Sequence, residues 1–135
     1  MIGEHWIEVF NDSFERCNGD PAFLDRFYDI FISSNNEVAE KFKYTDMENQ
    51  KGVLLISLSY MMMAHQTPQL LDKMAVRHSA QHLDIQPHLY SLWLDCMVEA
   101  VRLTDTKFNG GVEQAWRKMM QPGIDYIISR YEIDG

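Results

Sequence analysis

His78 and His82 stand four residues apart in RHSAQHLDIQPHLY, a spacing that puts both imidazoles on one face of a helix. A neutral imidazole is the commonest protein ligand for a metal and changes charge near neutral pH. Two readings fit the pair: two surface histidines, or one ligand with a neighbour beside it. A zinc or dinuclear site would need an HExxH pattern or further ligands, and Ser79, Ala80 and Gln81 fill the gap instead. Leu71, Met74 and Ala75 precede the pair on the apolar side, and Ile85 and Pro87 follow in a loop, so the pair lies beside an interior.

A second group is Tyr28, Phe42 and Gln50. Tyr28 falls among the aromatic positions Phe23, Phe27 and Phe31, and Gln50 lies one turn before Leu54. Taken singly, Tyr28 is an ordinary core tyrosine and Gln50 a solvated first-turn residue. Facing a histidine together, a phenol and an amide are what a small-ligand cavity presents.

Helices must position these groups, because apolar residues recur at helical spacing nearly throughout. Ile7, Phe10, Phe14 and Cys17 line a first helix that ends at Asn18 and Gly19. Asp20 and Pro21 open a second, broken at Ser33 to Asn36, and a short third spans 37 to 42. Thr45 or Asp46 caps a fourth over 47 to 65, apolar nearly all round from Val53 to Met63, which predicts a buried helix in the middle of the fold. Thr67 and Pro68 precede a fifth over 69 to 82. A sixth runs from Pro87 through Leu103 with Leu89, Leu92, Trp93, Cys96 and Ala100 inward. The last spans 112 to 131 with Val112, Trp116, Met119, Gly123 and Ile127 in register and a kink expected at Pro122. The expectation is an all-α domain of about seven helices over residues 1–135.

Composition narrows the function. The 135 residues are 46% hydrophobic with a net charge of −8, enough for a core and a field that repels polyanions, so nucleic acid is not an expected partner. Cys17 and Cys96, far apart and without a CxxC, read as buried reduced thiols. The N-terminal MIGEHWIEVFNDSFERC lacks a basic start and an apolar run, and the stretch from Val53 to Met63 is too short to span a bilayer. A cytoplasmic protein without membrane partners is expected.

The order of these features resembles the globin family. RFYDIF at 26 to 31, Phe42, and TDMENQKGVLL at 45 to 55 look like the second, third and fifth helices of bacterial single-domain haemoglobins and of the globin domain of flavohaemoglobins. RHSAQHLDIQPHLY looks like the proximal histidine and the turn after it, and AWRKMMQPGIDYIISRY is similar to the closing helix. The flavin and nicotinamide domains of flavohaemoglobins have no counterpart.

The resemblance implies a globin fold around a haem pocket and haem b (iron protoporphyrin IX), with His78 as the iron ligand. Tyr28 and Gln50 would then be distal donors, Phe42 a ring on the haem face, and Leu54, Phe31, Met74 and Leu92 apolar walls. The 28 residues from Gln50 to His78 are close to the separation in vertebrate globins, whereas His82 would be nearer to flavohaemoglobins. His82 becomes a candidate for the propionate edge, with Lys43 and Lys51 weaker ones. The second imidazole nitrogen of His78 is expected to meet the Met74 carbonyl, with Met120 where flavohaemoglobins support that histidine and Tyr131 at a later proximal place. The implied activity is reversible binding of dioxygen, with nitric oxide or carbon monoxide as further ligands, in oxygen transport rather than catalysis. The alternatives are a nitric oxide dioxygenase fed by an external reductase and a gas sensor or interaction module. The sequence leaves the oligomeric state open.

Overall fold

A buried carboxylate ties the two ends of the chain together. In the structure, a computed structural model that describes residues 2–132, Asp105 accepts hydrogen bonds from Arg16 Nε and Nη2 at 2.5 and 2.9 Å, from Ser13 Oγ at 2.6 Å and from the Lys107 backbone N–H at 2.9 Å. Ser13 Oγ in turn accepts from Trp116 Nε1 at 2.9 Å. Ser13 lies in α1 (Glu4–Asn18) and Trp116 in α7 (Gly110–Ser129), while Asp105 follows α6 (His88–Thr104), so one polar cluster pins three helices. Trp116 is fully buried, with the Phe10 ring edge-on at 4.7 Å.

The remaining elements are α2 (Phe23–Ser34), α3 (Asn36–Phe42), α4 (Met47–Met61), a 3-10 turn (Pro68–Leu71) and α5 (Asp72–His78). There is no strand among the described residues. Local chemistry sets several starts. The Asp20 carboxylate accepts from the Ala22 N–H and from Arg26, holding the turn ahead of α2. Asn35 accepts from the Glu37 N–H at 2.6 Å and Asp46 from the Glu48 N–H at 3.1 Å, which caps α3 and α4; Asn109 caps α7 through the Val112 N–H. Of the two residues proposed to cap the fourth helix, Asp46 is the one that does.

Helix α7 occupies the centre. It packs against α1, α4, the 3-10 turn, α5 and α6, whereas α2 lies on α6 and carries α3. Both apolar stripes of α6 are buried, Leu89, Cys96 and Ala100 on one and Tyr90, Leu94, Met97 and Val101 on the other. Cys17 and Cys96 are buried and unbonded. Gly123 permits the close approach of α4 and the 3-10 turn to α7: a Cβ there would meet Met61 Sδ at 2.5 Å and Leu71 Cδ1 at 3.1 Å.

Three expectations are corrected. Helix α4 is not buried all round. Leu54, Leu58 and Met61 face the core, but Val53, Ile56, Tyr60 and Met63 are exposed, because α4 rests on α7 and the 3-10 turn and no other element among the described residues covers its other side. An apolar outer face and a buried one give the same sequence pattern. It also ends at Met61 rather than 65, running into turns. Finally, the segment 69 to 82 is no continuous helix. Thr67 makes no side-chain cap, Pro68 starts a 3-10 turn, and α5 stops at His78. Ser79 is extended there, its hydroxyl bonds the Val76 carbonyl, and Asp84 adopts a positive φ of 53°. His82 therefore lies in a turn beyond the helix and does not share a helical face with His78. The helix after Pro87 starts at His88, and α7 runs from Gly110 to Ser129 through Pro122.

Burial pushes the Asp105 carboxyl up, but the hydrogen bonds from Arg16, Ser13 and the Lys107 N–H outweigh it and hold the group below its ordinary range. The unfolded chain therefore takes up this proton first as pH falls. The stabilisation is fully present above the unfolded value of about 3.9 and is lost as pH drops through the lower folded value. Asp105→Ala is expected to lower stability by about 2 to 4 kcal/mol at neutral pH, since it leaves Ser13 and Arg16 without their partner. Urea melts at pH 7 and pH 3 check both: the gap between wild type and variant should narrow at the lower pH.

Candidate functional site

Tyr28 is buried in α2 between aromatic rings, with Phe27 at 5.0 Å and Phe42 at 5.6 Å, both edge-on. Phe42, at the end of α3, also meets Phe31 edge-on at 6.1 Å. Into this apolar corner Gln50 of α4 reaches from the first turn and donates Nε2–H to the Tyr28 hydroxyl at 3.2 Å. Burial raises the Tyr28 phenol to about 12, against the smaller lowering by Gln50, so it stays protonated at neutral pH. Because its oxygen accepts from Gln50, the Tyr28 proton is not used in that bond. Leu54, one turn beyond Gln50, is buried on the same side of α4. Sequence reasoning grouped Tyr28, Phe42 and Gln50, and the structure brings these three together.

His78 ends α5. Its Nδ1 lies 2.9 Å from the Tyr90 hydroxyl, and among the described residues Nε2 has no protein hydrogen-bond partner. Burial, helped by the charge of Arg77, lowers the imidazole to about 4, so it is neutral at pH 7. That is the form able to ligate a metal, with one nitrogen held and the other available. The partner of the held nitrogen is a correction: the Tyr90 hydroxyl, not the Met74 carbonyl, takes it. The match of Met120 to the supporting position of flavohaemoglobins misses Tyr90, because the support comes from α6 rather than from α7. A signal was present, since Tyr90 stands with Leu94, Met97 and Val101 at helical spacing.

A further tie lies behind Tyr90. The Tyr131 hydroxyl donates to the Asp84 carboxylate, and the Tyr131 carbonyl accepts the Ala80 N–H at 2.9 Å, so the chain after α7 is bonded to the turn after α5. Burial and the nearby Tyr131 phenol both raise the Tyr90 phenol, which stays neutral.

Helices α4 and α5 share α7 and the 3-10 turn as supports without packing closely on each other. Met74 in α5 and Leu92 in α6 are half-buried against the core. His82 is exposed, its Nδ1 3.2 Å from Ser79 Oγ. Lys43 is paired with Glu40, and Lys51 with Asp25 and Glu48. Among the described residues no three His, Cys, Asp or Glu side chains gather as a bare metal site, and no helix is long and apolar enough to cross a membrane.

No protein-family model and no curated protein matches the sequence. Among solved structures, the chain is similar to a Pseudomonas aeruginosa protein described as structurally highly homologous to a human hemoglobin. The two share 34% identity and a TM-score of 0.90, over 94% of this chain and 98% of that one. The chain belongs to the globin family. Membership implies a haem cofactor, and the donor set fits one: this globin offers in His78 a neutral imidazole whose Nε2 has no protein partner among the described residues, and a protonated phenol with an amide in an apolar corner.

The Tyr28 and Gln50 pair is testable without any ligand. Gln50→Leu leaves a buried hydroxyl without a partner and is expected to lower stability by about 1 to 3 kcal/mol. Tyr28→Phe should cost less, because Gln50 is half-exposed and water replaces the lost acceptor. Urea melts of the single and double variants should show the double variant more stable than the sum of the two losses implies.

Proposed function

We propose that this globin holds a b-type haem through His78 Nε2 and binds dioxygen reversibly on the side of Tyr28 and Gln50. The observation that carries the reading is the His78 imidazole, neutral, with Nδ1 held by Tyr90 and Nε2 without a protein partner. Haem, when bound, supplies the iron that takes up a diatomic gas.

The chain's residues then have separable roles. Were Nε2 to hold the metal, Nδ1 would carry the hydrogen and donate it to the Tyr90 oxygen, fixing the tautomer and the ring plane. A dioxygen ligand on the side of Tyr28 and Gln50 would draw negative charge, and donors aimed at it would slow its release. The Tyr28 proton is available for that, because Gln50 supplies the bond to the Tyr28 oxygen and so sets where the hydroxyl points. The second amide hydrogen of Gln50 is a further donor. Phe31, Phe42, Leu54, Met74 and Leu92 provide the apolar walls that exclude water, and exposed His82 is assigned to the propionate edge. Carbon monoxide, less polarised, gains less from the same donors, and nitric oxide is a third candidate ligand.

The Tyr90 contact favours binding over catalysis. A carboxylate on Nδ1 would draw its proton and push electron density toward the iron, whereas a neutral phenol does so weakly. That supports a gas-binding role over nitric oxide dioxygenation with an external reductase.

Reconstitution with haem tests the assignment. His78→Ala should abolish or scramble the haem spectrum, while His82→Ala should weaken haem retention and leave the ferrous spectrum similar; the opposite pattern would move the ligand to His82. Tyr28→Phe should speed dioxygen release about tenfold or more and alter carbon monoxide release much less, as flash photolysis and stopped-flow mixing would show.

A further inference from the structure

The exposed side of α4 is apolar and without charge. Val53, Ile56, Tyr60 and Met63 are 38, 58, 43 and 43% exposed. They step by three, four and three, so they form a stripe along one side, about 15 Å long at the helical rise. Met63 belongs to it because the chain keeps turning past Met61, its N–H bonded to the Tyr60 carbonyl at 3.1 Å. From Gly52 to Leu71 there is no Asp, Glu, Lys or Arg, in a chain that is 24% charged.

The spacing of the stripe is the same in both directions. Positions 53 and 63 are equidistant from 58, and so are 56 and 60. When two copies are laid antiparallel across a two-fold axis, Val53 falls opposite the partner's Met63 and Ile56 opposite the partner's Tyr60. The patch is its own complement, which is the requirement of an isologous interface. Ser57 and Ser59 flank the same midpoint, and their hydroxyls already donate to the Val53 and Leu55 carbonyls at 2.9 and 3.2 Å, so neither needs water when covered.

Charge selects the occupant. At net −8, surfaces with their share of carboxylates repel a second copy within the screening length of about 8 Å at physiological salt. The α4 face does not, and it offers nothing to attract a charged partner. We propose that this globin forms a homodimer through this face, with antiparallel α4 helices meeting across a two-fold axis at the level of position 58, between Ile56 and Tyr60. One helix stripe covers less than the roughly 800 Å² per partner of a standard stable interface, so the dimer is reversible and depends on concentration. This inference is independent of the gas ligand.

Sedimentation equilibrium of the 135-residue chain between about 10 µM and 1 mM is the test, a range that brackets dissociation constants expected of so small a contact. The mass should rise from one chain toward two. Ile56→Glu should hold it at one chain throughout, while Leu103→Glu, at an exposed leucine on α6, should behave as wild type. Ile56→Lys and Tyr60→Glu should each be monomeric alone and should pair when mixed, because the introduced charges then face each other. Circular dichroism confirms that each variant is folded. A single-chain mass at 1 mM overturns the proposal and leaves the face to a different protein; a dimer that survives Ile56→Glu, or variants that fail to pair on mixing, overturns the surface or its register.

Discussion

Contact with α7 is the constraint on which both sides of the site depend. Helix α4 brings Gln50 and Leu54, α5 brings His78, and both are supported by α7 and the 3-10 turn rather than by each other. Their positions therefore follow from how closely those supports approach. At Gly123 the absence of a side chain lets Met61 and Leu71 seat directly on the α7 backbone. Interiors packed at crystal density transmit such a displacement, so a bulkier residue there would move the support of both sides together. The other end of α7 is fixed by Trp116, whose indole N–H closes the cluster of Ser13, Asp105 and Arg16.

Buried polar groups in this chain come as satisfied pairs, and the pairing decides what is left free for chemistry. No fully buried side-chain nitrogen or oxygen lacks a partner among the described residues. At the site this accounting leaves two groups available. Tyr90 holds one nitrogen of His78 and leaves the other open, and Gln50 fills the acceptor side of Tyr28 and leaves its proton unused. Burial keeps the imidazole neutral and the phenols protonated, so His78 presents a neutral ring nitrogen and Tyr28 a hydroxyl proton.

What could be read from residue order and what could not divide along a physical line. The seven α-helices, the order Tyr28, Phe42, Gln50, His78, and the inward positions of α7 were legible in the sequence. Helical periodicity and capping residues such as Asn35 and Asp46 act within a few residues of themselves, and the globin resemblance rests on the order of motifs. The break after His78 was not legible, because the spacing of His78 and His82 is equally compatible with one helix or with a helix and a turn. Ser79 and Asp84 end the helix through local backbone conformation that periodicity does not register.

The sequence by itself determined that the chain is all-helical, where most helices begin and end, and that a phenol, an amide and a histidine fall on α2, α4 and α5. Only the tertiary structure decided which element is central. The apolar run in α4 marked it as the buried core helix, yet α7 takes that place and α4 turns an apolar face outward. Hydrophobicity records that a surface avoids water without recording what covers it. The same limit applies to Tyr90 and His78, twelve positions apart, and to Ser13 and Asp105, ninety-two apart. A hydrogen bond between helices depends on how those helices cross, which is a property of the packed chain and leaves no periodic trace in either segment.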